Sequence, residues 1–520
     1  MTPDIDEESA PQPRRAVYSG YRDPPSGRYG ERIPAGSPRN SWMRPDVLWR
    51  SRNDRIASWV SDPVNDMRRA WVERRKSTVG PPEHWVIDLT EPHDVSFLLI
   101  GDPGEGDHSQ YAVAEALLAR ADGTNFLLIA SDVVYPAGEL GDYERKFTIP
   151  YDRYKPPIFA VPGNHDWYDS LQGFMFNFCR EEPPPPPARL GLARRLNPRR
   201  ALRRKLWWDV PARPPGDLRA QRERRRAASP PQPGPYFCID TKHLRIVAID
   251  TGITNELDHE QAEWLRLVSS ERHDTAKILV TGKPLYADGE PTPTTIEKRR
   301  PWERQRTILP IVEDSAHNYV AVFGGDIHNY QRYPRRHGKR TINYVVCGGS
   351  GAFMHATHKI KKLDRTKICS EDDFRCYPLR GDSLAFYSRL YDDRFGALAR
   401  RSLALEPEVA ARLIANHIKY EPTGATAREI EPTAEDQATF NRVVRLPAGK
   451  TFQRYYSEFL DRDRPPFAKS FLRLDVRDDR LLVTTYAVTG WPEDETDPPV
   501  ADRFEIDLSN GSWSDLRPPA

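Results

Sequence analysis

Four short polar clusters, each set directly behind an apolar run, carry the side chains best suited to hold metal ions. Asp102 follows FLLIG, Asp132 follows FLLIAS, Asn164-His165-Asp166 follows IFAVPG, and Asp326-Ile327-His328 follows VAVFGG. Hard divalent cations want oxygen ligands, and borderline ions such as manganese, iron and zinc accept imidazole as well. Asp, Asp, Asn and His brought to one place match that mixed demand.

The elements that must position them read as strands. Continuous apolar runs recur at Phe97–Ile100, Phe126–Ile129, Ile158–Val161, Ile246–Ile249, Ile278–Val280 and Tyr319–Phe323. Runs that do not alternate with polar residues suit strands buried on both faces. Between the first two lies a helical pattern, Ser109 to Arg120, with Val113 and Leu117 on one face, and strand–helix–strand over this length is the βαβ unit. A second helical pattern covers Asp258 to Ser270. In open α/β sheets ligands bind at the carboxyl ends of the strands, where side chains from distant loops converge. An α/β core is expected, and a mixed or two-sheet arrangement would carry the same pattern.

Composition bounds the rest. A chain of 520 residues predicts two to four domains. Its 38% hydrophobic content is low and its 49 prolines are many, which predicts a globular part broken by unstructured stretches. The net charge of +2 selects no class of partner. The start, MTPDIDEESAPQPRR, lacks the basic n-region and apolar core of a secretory segment. No apolar run reaches the roughly 18–20 residues that span a bilayer. Five scattered cysteines without zinc-ligand spacing read as reduced thiols. A cytoplasmic protein without a transmembrane segment is expected.

Residues 1–45 are expected to be a disordered tail, followed by a short helix near Trp59 to Arg75. From 181 to 235 a Pro- and Arg-rich insertion interrupts the core, with Trp207 and Trp208 as possible anchors. It reads as a solvated surface segment or as a basic clamp for a polyanion. Residues 361–520 are expected to form a helical and β-strand extension. Mixed helices run to about Lys419, then a polar linker, then strands at Ser470–Val476, Leu481–Val488 and Arg503–Leu508.

Residues 95–358, about half the chain, resemble the calcineurin-like metallophosphoesterases, and a domain of that kind is expected over 90–360. The resemblance rests on Gly101-Asp102, on SDVVY at Ser131–Tyr135, on GNHD at Gly163–Asp166 and on GGDIHNYQR at Gly324–Arg332. It implies a layered α/β/β/α core, here with a small C-terminal β-containing extension, and a centre of two divalent or trivalent metal ions (manganese, iron, zinc or magnesium). By position Asp132 would bridge the ions, Asp102 and His328 would hold the first, and Asn164 the second. Tyr135, three residues after Asp132, is similar to the iron-binding tyrosine of purple acid phosphatases. The histidine expected two after Asp102 is absent, as in that subgroup.

Two departures concern the second ion, and they lead to the expectation of a second site that is weak, water-filled or empty. Where the family has a histidine after its fourth strand, this chain has Gly282 and Lys283 in VTGKPLY. The first histidine of the family's last motif is here Asp326, a carboxylate that would favour a harder ion. Lys283 would either set a fixed positive charge near the second ion or bind a phosphoryl oxygen directly. The resemblance implies attack of a metal-bound hydroxide on a phosphate mono- or diester. His165 would orient the substrate or protonate the leaving group, with Asp166 holding its ring. A phosphorylated small molecule is the expected substrate. The alternatives are a nuclease that uses the basic insertion, and a catalytically weakened binding or scaffold relative. His355 and His358 read as parts of a structural loop. Tyr330 and Arg332 read as phosphate contacts or core.

Overall fold

The computed structural model describes residues 27–35, 64–182, 230–300, 302–399, 402–420, 425–445 and 464–516, with single residues or pairs at 44, 45, 47, 219, 220 and 457. In chain order the main strands are β1 (Val86–Leu89), β2 (Val95–Ile100), β3 (Phe126–Ile129), β4 (Ile158–Ala160), β5 (Phe237–Thr241) and β6 (Leu244–Ile249). There follow β7 (Ala276–Thr281), β8 (Tyr319–Gly324), β9 (Tyr330–His337), β10 (Arg340–Cys347) and β11 (Arg375–Tyr377). The C-terminal region adds β12 (Lys469–Arg477), β13 (Arg480–Val488), β14 (Val500–Asp507) and β15 (Trp513–Asp515).

These strands build two sheets. One has the order β15-β14-β13-β12-β2-β3-β4, and the other β1-β5-β6-β7-β8-β10-β9-β11. The parallel pairs β2–β3–β4 and β6–β7–β8–β10 hold the strands whose ends carry the polar clusters. Phe97, Leu99, Phe126 and Leu128 point into a core shared with Ile246, Leu279, Val322 and Tyr344 of the facing sheet. Their neighbours Leu98, Ile100, Leu127 and Ile129 point the other way, onto Tyr111, Val113 and Leu117. Both faces of β2 and β3 are therefore covered, which is why their sequence does not alternate.

The expected C-terminal strands appear in register with the core. Leu472 of β12 pairs with Leu99 and Leu474 with Phe97, antiparallel to β2. The extension thus completes the first sheet instead of standing beside it. Where a polar linker was expected, a helix runs from Ala434 to Arg445 and buries Thr439, Phe440 and Val443. These three residues share one narrow face, and that stripe is easily missed among charged neighbours.

Helix α1 (Tyr29–Arg32) corrects part of the expected disorder. Tyr29 is buried, and the backbone N–H groups of Arg28 and Tyr29 donate to Glu495. Arg32 pairs with Glu115 at 2.9 Å. One aromatic and one cation suffice to dock a segment whose composition otherwise reads as unstructured. The helix expected near 59–75 is α2 (Val64–Val79), and Trp59 itself lies outside the described residues. Helices α3 (His108–Leu118) and α4 (Gln172–Phe178) follow, then α5 (His259–Ser270). The side chain of Asp107 caps α3 by accepting from the Gln110 N–H, and Asp258 caps α5 in the same way. Most of the basic insertion, including Trp207 and Trp208, lies outside the described residues. Among the described residues no helix is long and apolar enough to cross a membrane.

Candidate metal centre

Asp102, Asp132 and Asp326 each follow a strand (β2, β3 and β8), and each sits at positive φ: 56°, 36° and 65°. Aspartate tolerates this left-handed region better than most residues, at a cost of order 1–3 kcal/mol each. The turn folds each carboxylate back over its strand end. Glycines clear the space. A Cβ at Gly163 would lie 2.1 Å from Asp132 Oδ1, at Gly325 2.7 Å from Asp102 Oδ2, and at Gly348 2.5 Å from the same oxygen.

The Tyr135 hydroxyl lies at the focus. It is 3.3 Å from Asp102 Oδ1, 3.0 Å from Asp132 Oδ2 and 3.1 Å from His328 Nε2. All four side chains are buried. His328 Nδ1 donates to the Phe353 carbonyl at 2.8 Å, which turns Nε2 inward. Burial lowers the His328 imidazole to about 3, so it is neutral and has a lone pair to give. Its ring stacks on His355 at 4.3 Å, and His355 Nδ1 accepts the His328 backbone N–H. His355 therefore supports the centre from behind. His358 lies apart from it, against Ser383 and Tyr387.

The electrostatics call for a cation. Burial raises the Asp102 carboxyl well above its usual range, and Asp132 and Asp326 raise it further. Burial likewise raises Asp132 and Tyr135. Crowded carboxylates in a dry pocket are relieved by a proton or by a metal ion. Asn164 is buried, and its Oδ1 has no hydrogen-bond partner among the described residues. An oxygen left in that state is costly unless something binds it. Donor types, glycine clearance and the orphan oxygen all fit a bound metal ion, with Asp102, Asp132, Tyr135 and His328 around one position and Asn164 in the loop whose next residue bonds Asp132.

The GNHD loop departs from expectation in one respect. Asp166 does not reach the His165 ring. Its carboxylate accepts from the backbone N–H groups of Gly163 and Val133 at 3.0 Å and of Val134 at 3.4 Å, tying the two loops together. The ring is held instead by its Nδ1, 2.8 Å from the Pro136 carbonyl, and by packing on Tyr135 at 4.4 Å. The His165 backbone N–H donates to Asp132 Oδ1 at 2.7 Å. Lys283 Nζ lies 2.7 Å from Asp326 Oδ1, and the Asp326 N–H donates to Asp102 Oδ2 at 2.8 Å.

Tyr330 and Arg332 belong to the core. Both bond Asp502 of β14 at 2.7 Å, and the Arg332 guanidinium lies over Phe504 at 4.5 Å. Sequence reasoning missed Arg68 of α2. It is fully buried and bonds Asp250 at 2.8 Å and Asp258 at 3.0 Å, while Trp167, directly after GNHD, donates to the other oxygen of Asp250 at 3.0 Å. Its only signal was an arginine one turn ahead of Trp71 on an otherwise polar helix. Another trio, His93, His243 and Asp478, brings ligand atoms within 4.8 Å. It sits on turns at the N-terminal ends of β2 and β6, the opposite edge from Asp102, and is not part of this centre.

The class follows from the fold and the site together. Residues 95–330 match the model of the calcineurin-like phosphoesterases, and this part of the chain is a domain of that family. The family implies a metal-dependent phosphoesterase with a centre of two ions. Among solved structures, purple acid phosphatase PPD1 from yellow lupin (Lupinus luteus) seeds is 12% identical, with a TM-score of 0.38 over 80% of this chain and 54% of that one. PhoD is 9% identical, with a TM-score of 0.36 over 82% and 72%. Likeness at this level carries no functional weight, and the chain spans only about half the length of the lupin enzyme. No curated protein matches the sequence.

Proposed function

We propose that the chain hydrolyses phosphate mono- or diesters of a phosphorylated small molecule, at the centre lined by Asp102, Asp132, Tyr135, Asn164 and His328. The supporting observation is that three candidate ligands from three strand ends meet at one hydroxyl. A metal ion bound there neutralises charge on the phosphoryl group and lowers the pKa of a bound water.

The protein's own residues do the rest. Asp132 carries negative charge to the point where Tyr135 and the His165 loop meet. Pro136 fixes His165 by Nδ1–H, so a proton for the leaving oxygen would have to be carried on Nε2 by the imidazolium form of the ring, which is left neutral at Nε2 once the proton is delivered. Asp166 keeps the loop in place through its backbone bonds and makes no contact with substrate. The catalytic unit in this reading is residues 90–360, completed by the C-terminal strands. A cytoplasmic setting belongs to the same reading and agrees with five unpaired cysteines.

Hydrolysis of mono- and bis-p-nitrophenyl phosphate across added manganese, zinc, iron and magnesium tests it and chooses between monoester and diester. His165→Gln is expected to lower kcat by about 10²-fold, within the range for a general acid, with little change in metal content. A kcat within twofold of wild type would remove His165 from the chemistry.

A further inference from the structure

We propose that this centre works with one metal ion, and that the Lys283 ammonium stands in for the second by binding a phosphoryl oxygen. The inference rests on the phosphoesterase reading and assigns the division of labour within it.

One pole of the site is complete, with two carboxylates, a phenol and an imidazole around a single point. The other pole is differently equipped. Asn164 Oδ1 is buried without a hydrogen-bond partner among the described residues, and Asp132 Oδ1, in contact with the same loop, already accepts the His165 N–H at 2.7 Å. The position that would add an imidazole is Gly282. A Cβ there would lie 2.9 Å from the Pro162 carbonyl and 2.9 Å from Thr251 Oγ1, so the backbone approach that builds this wall excludes a side chain. The next residue brings a cation. Lys283 Nζ is paired with Asp326 Oδ1 at 2.7 Å, and Lys283 is close enough to Asp132 to act on its charge.

Asp326 is thereby the counter-ion of a lysine, and not a metal ligand as the motif alone implied. Its backbone N–H is anchored on Asp102 Oδ2, so the ammonium is held at a fixed place relative to the first pole. A divalent ion entering the second pole would meet a fixed like charge and too few donors. A phosphoryl oxygen would meet a positive charge that is already oriented and needs no metal loading. Lysine serves well as such a point charge for phosphate. The side chains of Lys283 and Asp326 are 9% and 22% exposed, so the ammonium is held in a largely buried pair of which Asp326 is the more accessible member.

Native mass spectrometry of the full chain titrated with manganese or zinc tests the stoichiometry. One ion per chain at saturation is expected, in wild type and in Lys283→Met alike. Lys283→Met is expected to lower kcat for p-nitrophenyl phosphate by about 100-fold, comparable to losing one preorganised donor. Its melting temperature is measured alongside, with kcat taken well below it, which separates chemistry from folding. Added ethylammonium should restore part of the rate in Lys283→Met and none in wild type, and Lys283→Arg should fall between the two. Two ions per chain in wild type, or an unchanged kcat in Lys283→Met, would overturn the lysine assignment while leaving a phosphoesterase. A chain that binds no ion and hydrolyses neither ester would take down both.

Discussion

Asp132→Asn is expected to abolish turnover, lowering kcat by about 10³-fold or more, well beyond the 10–100-fold typical of residues that only support a ligand. Asp132 is the residue on which the site's parts converge: Tyr135 reaches one oxygen and the His165 backbone the other. Asparagine keeps the shape and an acceptor for the His165 N–H, so the loop should hold. It removes one negative charge, and with it the attraction for a cation. The metal-free variant should melt no lower than metal-free wild type, because a buried charge in a crowded acidic pocket has been removed. The gain in melting temperature that metal gives wild type should disappear, since that gain comes from binding the folded state. Calorimetry with and without added manganese reads both effects. A variant with wild-type kcat would exclude Asp132 from the metal centre.

The second large effect concerns stability. Arg68→Met should destabilise the fold by about 3–5 kcal/mol, the usual cost of leaving a buried carboxylate without its partner. For a domain of this size that is on the order of 10 °C in Tm. Arg68, Asp250 and Asp258 are all buried, and Asp258 also caps α5. Activity should fall further than unfolding explains, because Asp250 also holds Trp167 beside the GNHD loop. Replacing Asp250 by Asn in the Arg68→Met background should recover part of the Tm, since it removes one of the stranded charges. A Tm change of under about 2 °C in Arg68→Met would mean that the triad contributes little.

The strands were the most legible part of the sequence. The runs at Phe97–Ile100, Phe126–Ile129 and Tyr319–Phe323 lie within β2, β3 and β8, because burial on both faces leaves an uninterrupted apolar signature. The positions of Asp102, Asp132, Asn164 and His328 behind strand ends were legible for the same reason. What lay beyond reach is non-local. Nothing in the sequence near Leu472 says that it pairs with Leu99, since pairing partners so far apart are fixed only by the closed core. The arrest of His165 by a carbonyl and not by Asp166 depends on how a loop turns. The Lys283–Asp326 pair joins two motifs that look separately like defects and make sense only side by side. Arg68 was hidden because a buried arginine and a surface arginine look alike until their partners are known.

The most direct test of the central claim is metal add-back. The chain is stripped with a chelator, and p-nitrophenyl phosphate hydrolysis is measured before and after adding manganese, zinc, iron or magnesium, with Asp132→Asn alongside. The stripped protein is expected to be inactive, at least one of these ions should restore activity in wild type, and none should restore it in Asp132→Asn. Hydrolysis that persists without metal, or that returns equally in Asp132→Asn, would contradict the claim.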